Sequence, residues 1–117
     1  MSSDPTARSF AALYACFNAR DIDCVLARLT PDVQWPNGWE GGYVCGHDAV
    51  RDYWTRQWSE IDPTVTPQAV SKLPDGRIDV EVHQVVRNAA GSLLDERIVH
   101  HVYRLRGEQI EHMEIRD

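Results

Sequence analysis

The chain has five histidines, the side chain that titrates nearest neutral pH. His83, His101 and His112 are candidates for acid–base work, with Glu40, Asp95 and Asp117 as candidate carboxylates. His101 is the best placed. It alternates with Val99, Tyr103 and Leu105 on the strand face read as inward. A histidine buried there must find hydrogen-bond partners, either protein groups or a ligand. Both readings stay open: an acid–base or ligand-holding group, and a core histidine satisfied by the protein. Arg97 and Asp95 share that face, so a polar relay to His101 is conceivable.

His83 depends on the register of its hairpin. A four-residue loop over 88–91 turns Gln84 inward beside His101. A three-residue loop with a left-handed Gly91 turns His83 inward instead. The alternation of Ile78, Val80, Val82 and Val86 favours Gln84. No metal site is expected. His100 and His101 are neighbours on a strand and point to opposite faces, so they cannot share an ion. Cys16, Cys24 and Cys45 form no Cys-x-x-Cys pair. Cys16 and Cys24 read as small buried apolar residues on helices.

The stretch Val33–Gly46, VQWPNGWEGGYVCG, carries two tryptophans, four glycines and a proline. Glycine and proline mark it as loop. Trp35 and Trp39 either plug the core or wall a binding site.

These groups are positioned by a simple order of elements. Phe10, Leu13, Tyr14 and Phe17 recur at helical spacing within residues 7–20, with Ser3 or Asp4 as cap and Pro5 early in the helix. Asp21 opens a second helix, DIDCVLARL, which Pro31 ends. Val33–Trp35 and Tyr43–Cys45 read as short strands. A third helix, AVRDYWTRQW, buries Val50, Tyr53, Trp54 and Trp58 and closes at Asp62-Pro63. Four strands follow: Val65–Leu73, residues 77–87, residues 93–106 and Gln109–Asp117. Three helices, two short strands and a four-strand meander predict an α+β fold, with helices on one face of a mainly antiparallel sheet.

The 117 residues fit one domain spanning 1–117. Apolar residues are 43% and charged residues 26%, and the formal charge is −6. Lys72 is the single lysine. That balance argues against nucleic acid, whose phosphates need a basic surface. No apolar run approaches the ~20 residues that span a membrane. The polar start, MSSDPTARSF, lacks the apolar centre of a signal peptide. A cytoplasmic protein is expected.

Several motifs occur in a telling order. F-x-x-L-Y-x-x-F and N-A-R-D-I-D lie in the first helices, and L-T-P-D-V-x-W precedes the loop. Y-V-x-G-H-D-A-V-R-D-Y-W, H-H-V-Y-R-L and I-x-H-M-E-I follow it. Together they make the chain resemble the nuclear transport factor 2-like superfamily, and within it the SnoaL-like polyketide cyclase and ketosteroid isomerase branch. The resemblance covers nearly the whole chain. It implies a cone-shaped fold, in which helices and a curved sheet enclose an apolar pocket with the Trp35–Gly42 loop at its rim.

The resemblance also implies where chemistry would sit. The isomerase reaction needs a carboxylate base with a tyrosine and a protonated aspartic acid as donors. The base position falls on Asn37, whose amide has no useful basicity. The tyrosine position falls on Leu13. Tyr14, rotated about 100° round the helix, is not expected to substitute. The aspartic acid position falls on His101. His101 is thus the acid–base candidate, with Asn37 and Tyr103 orienting the substrate. The first helix offers Leu13, Tyr14 and Phe17 to a ligand. The loop and third helix offer Trp35, Trp54 and Trp58, and the sheet offers Gln84, Val99, Met113 and Asp117.

Two functions follow. One is a small-molecule enzyme (isomerase, cyclase or hydrolase) acting on a hydrophobic substrate. The other is a non-catalytic ligand-binding or assembly module that keeps the cone without the base. No cofactor is expected. The superfamily commonly pairs through the outer sheet face, where Ile98, His100 and Val102 look too apolar for a bare surface. A homodimer is expected there.

Overall fold

The computed structural model describes residues 5–38 and 41–116. Trp39, Glu40, Asp117 and the expected caps Ser3 and Asp4 lie outside the described residues. The order is α1 (Pro5–Asn18), α2 (Ile22–Leu26), β1 (Leu29–Pro36), β2 (Tyr43–Cys45), α3 (His47–Glu60), β3 (Ile61–Lys72), β4 (Ile78–Asn88), β5 (Leu93–Arg106) and β6 (Gln109–Arg116). The six strands form one sheet in the order β2-β1-β6-β5-β4-β3. β1 runs parallel to β6, and every other pairing is antiparallel. The fold is therefore α+β with a mixed sheet.

Two prolines read as helix stops lie inside strands. Pro63 falls near the start of β3, which begins directly after α3. Because β3 is an edge strand, paired on one side by β4, it tolerates residues without an N–H. Pro67 lies at the irregularity in that pairing. Pro31 lies in β1, between Leu29 and Gln34, where the register against β6 shifts. α2 is correspondingly short, since Leu29 already belongs to β1.

The helices are fastened at defined points. Asp21 caps α2 by accepting from the Cys24 N–H at 3.2 Å. Asn18 clamps α1 to β3: its amide donates to the Val65 carbonyl at 2.8 Å and accepts from the Val65 N–H at 3.0 Å. Arg20 follows in the left-handed region, φ 62°, and donates to the Pro63 carbonyl at 2.6 Å. Cys16 and Cys24 are joined as a disulfide across 5.8 Å between Cα atoms. This corrects the expectation of two buried apolar thiols. Both side chains are only half-buried, and the α1–α2 turn brings them within bridging range.

The hairpin between β4 and β5 settles which side chains face the helices. Its loop is the short one: Asn88 N–H donates to the Ser92 carbonyl at 2.9 Å, and Gly91 is left-handed at φ 88°. Yet Gln84, not His83, faces inward with His101. Val86 pairs with Asp95 and Arg87 with Leu93, so Leu94 is an extra residue, a β-bulge that shifts the register by one. Loop length alone gives the wrong face here, and the apolar alternation gives the right one. Among the described residues no helix is long and apolar enough to cross a membrane.

Candidate functional site

Between the helices and the inner sheet face lies a cavity of about 240 Å³. α1 supplies Leu13, Tyr14 and Phe17, because an amphipathic helix on a sheet buries one broad stripe. α3 supplies Tyr53, Trp54 and Gln57. β1 gives Trp35, and the sheet gives Gln84, Arg97, His101, Tyr103 and Met113.

The wall is largely aromatic. Trp35 meets Trp54 edge-on at 5.2 Å between ring centroids, and Phe17 meets Trp54 edge-on at 5.8 Å. Edge-to-face rings at these separations stabilise each other beyond simple burial. Trp35 is nearly buried, so it packs and lines at once. Trp58 stacks on the far side of Trp54 at 5.6 Å, and Arg20 lies 5.0 Å over its ring.

The buried end holds three polar rings. The Tyr14 hydroxyl lies 2.7 Å from His101 Nδ1 and 2.7 Å from the Tyr103 hydroxyl. His101 Nε2 is buried with no partner among the described residues. Burial drives the His101 pKa down to about 4, helped by repulsion from His100. Burial also pushes both tyrosines upward; for Tyr14 the neighbouring Tyr103 adds to this. At neutral pH all three are uncharged.

The other end is open and more polar. Arg97 is half-exposed and pairs with Asp95 at 3.1 Å. Gly38 N–H donates to the Tyr53 oxygen at 2.9 Å, and the Gln57 amide donates to the same oxygen at 3.0 Å. A Cβ on Gly38 would sit 3.4 Å from that oxygen, an ordinary contact, so the approach of the loop to α3 does not itself require glycine there.

The residues singled out in the sequence separate into two groups. His101, Tyr103, Leu13, Tyr14, Phe17, Trp35, Trp54, Gln84 and Met113 line the cavity. Asn37, Trp58 and Val99 do not. Asn37 sits between lining residues Pro36 and Gly38, and its backbone bonds Gly41 and Gly42. Trp58 lies behind Trp54. Val99 is fully buried in the core. Asp117 lies outside the described residues.

Tyr14 was expected to meet a ligand without standing in for the isomerase tyrosine; it lines the cavity and bonds both His101 and Tyr103. Leu13 and Tyr14 are both buried, because the inward arc of α1 is wider than one residue. Of the relay conceivable on that face, Asp95 and Arg97 pair with each other, and His101 Nδ1 is bonded by Tyr14. Tyr53 and Gln57 were not picked out as site residues. Their i, i+4 spacing on α3, one turn apart, was the available signal.

Among the described residues no carboxylate lines the cavity, and no cluster of three metal-ligating side chains occurs.

Comparisons with known proteins agree with this architecture. TerC, crystallised with polyporic acid, superimposes with TM-score 0.81 at 24% identity, over 97% of this chain and 92% of that one. An NTF2-like protein of unknown function from Burkholderia pseudomallei gives 0.82 at 25% identity, over 98% and 92%. A Mycobacterium tuberculosis protein in complex with estradiol-17beta-hemisuccinate gives 0.77 at 18% identity, over 95% and 92%. No curated protein matches at the sequence level. The pattern of the SnoaL-like domain matches residues 10–113, so the chain belongs to the SnoaL-like family within the nuclear transport factor 2-like superfamily.

Proposed function

We propose that this chain binds a compact, largely apolar small molecule in the cavity between its helices and sheet. The observation that carries the reading is the lining: edge-to-face aromatics around the space, with a few convergent polar groups at its buried end. TerC with polyporic acid and the M. tuberculosis protein with its steroid ester support it as proteins of this fold that hold ring compounds.

Size narrows the ligand. Sites for drug-sized molecules run roughly 300–1,000 Å³, and this cavity is about 240 Å³. One or two rings fit, and a longer molecule would protrude at the Arg97 end. Binding needs no metal or cofactor in this reading, and the protein acts as a homodimer.

Catalysis is the second reading, and His101 would carry it. Its low pKa makes it a neutral imidazole across the physiological range, so it cannot act as a standing imidazolium acid. With no carboxylate among the described lining residues to assist it, the simple binding reading is the stronger. Tryptophan fluorescence tests it, because Trp35 and Trp54 form the wall. Naphthalene-sized aromatics should quench emission saturably at micromolar concentrations, and more tightly than a four-ring steroid. Leu13→Trp, which fills the space, should abolish the response. A flat titration with every ring compound would sink the reading.

A further inference from the structure

The cavity wall is neutral except at its open end. Among the described lining residues Arg97 carries the single formal charge, since no carboxylate lines the space and His101 is uncharged at neutral pH. The chain as a whole is acidic, with 18 Asp and Glu against 12 Lys and Arg. The field of the whole molecule therefore repels anions, and a local cation is what can draw one to this opening.

The strand register gives Arg97 company. Gln84 on β4 stands directly opposite Arg97 on β5, and both line the cavity. Opposed residues on one face bring their Cβ atoms to roughly 5 Å. Guanidinium and amide thus form one polar rung across the mouth. Apolar side chains surround it: Val65 beside Gln84, and Pro63 and Val86 one step further out. His101 lies on the same face of β5, four residues further in, or about 13 Å of extended strand. The space is therefore aromatic and uncharged in its depth, with a planar cation at its entrance.

We propose that Arg97 and Gln84 form a carboxylate subsite at the mouth, so that the ligand is an aromatic acid of one or two rings, seated rings inward and carboxylate outward. The proposal rests on the cavity being a ligand site. A carboxylate suits the subsite because its two oxygens match the planar fork of a guanidinium, and the amide adds a further N–H. A single negative charge matches a single cation. Arg97 is half-exposed, so the head group keeps part of its hydration and avoids the cost of a buried ion. An ammonium on the same ring frame would meet like charge.

Asp95 has two effects. It pairs with Arg97 Nε at 3.1 Å from the next position outward on the same face, and so positions the guanidinium. Its own charge opposes that of an incoming acid. Exposed pairs of this kind hold a side chain only weakly, so the repulsion is the larger effect.

The test uses 2-naphthylacetic acid and 2-naphthylacetamide, which share a shape and differ in charge at neutral pH. Tryptophan fluorescence gives both affinities. At low salt the acid should bind about fivefold more tightly than the amide, and the ratio should shrink in half-molar salt. Arg97→Gln should bring the ratio to about one, Arg97→Lys should keep part of it, and Asp95→Asn should raise it. Arg87→Gln removes the same charge from the opposite face of β4, outside the cavity lining, and should leave the ratio as it was. Leu13→Trp should abolish binding of both probes. Equal affinity for acid and amide in the wild type overturns the subsite while the cavity remains a binding site. A ratio lost equally in Arg87→Gln overturns it too, because net charge alone would then set the preference. Acid binding that survives Leu13→Trp places the acid outside the cavity and overturns it as well. If neither probe binds, the site reading itself falls, and the subsite with it.

Discussion

His101 is held neutral by the same burial that aims it at the cavity, and this has a thermodynamic consequence. Its pKa is about 4 when folded, against about 6.5 in an open chain. The unfolded chain therefore binds the extra proton first. Stability is full above pH 6.5 and declines as pH falls toward 4, because protonation pulls toward the unfolded state. The loss between pH 7 and pH 5 is roughly 2 kcal/mol from this residue alone. The titratable groups around the ring are Tyr14, Tyr103 and, through the strand, His100. Urea unfolding of wild type and His101→Gln at the two pH values checks this. The wild type should lose about 2 kcal/mol more than the variant, and parallel losses would refute it. The inward aim of His101 was legible, since alternation with Val99 and Tyr103 fixes its face. Its partner was not. Tyr14 is 87 residues away, and which of two adjacent helix residues meets a strand depends on how the helix is seated, not on its own periodicity.

The seating of α1 depends on what ties it down at its C-terminal end: the Asn18 clamp on β3, Arg20 on Pro63 and the Cys16–Cys24 bridge to α2. The bridge closes a loop with a sequence separation of 8 residues. Chain-entropy arguments assign such a closure about 2.5 kcal/mol, or roughly 10 °C in Tm for a chain of this size. Reduction or Cys16→Ser should lower Tm by about that much, and should loosen α1 and with it Tyr14 and Phe17. A thiol count provides the independent check. Denatured, unreduced protein should show one reactive thiol, Cys45, and three after reduction. Three thiols before reduction would refute the bridge. Periodicity found the three helices, and alternation found the four long strands. The parallel β1–β6 pairing escaped notice because Pro31 read locally as a helix end and cut β1 short, as Pro63 hid the start of β3. An edge position for one, and a register irregularity for the other, let each sit in a strand. The bridge escaped for a related reason: eight residues of spacing say nothing until the α1–α2 turn is in place.

At the scale of the molecule, the outer sheet face decides whether the chain stands alone. It is less apolar than the sequence suggested. Val102 is buried within the face, while Ile98 is 48% exposed. Around Ile98, polar pairs have formed: His83 with Glu96 at 2.7 Å and His100 with Asp79 at 2.9 Å. Further along the sheet, Arg77 holds Glu114 at 2.9 Å. An apolar centre with a paired polar surround is the anatomy of a modest protein interface. A two-fold axis near Ile98 would place this residue against its own copy, with the histidine–carboxylate pairs as the rim. Sedimentation velocity at micromolar concentration should then report a dimer. Ile98→Glu, which sets like charges against each other across the axis, should shift the protein to monomer without changing its fold or its affinity for cavity ligands, because Ile98 points away from the cavity. Conversely, filling the cavity with Leu13→Trp should leave the dimer intact. A wild-type monomer, or an Ile98→Glu dimer of unchanged affinity, would show that this face is solvent-exposed and that the paired charges alone keep it soluble.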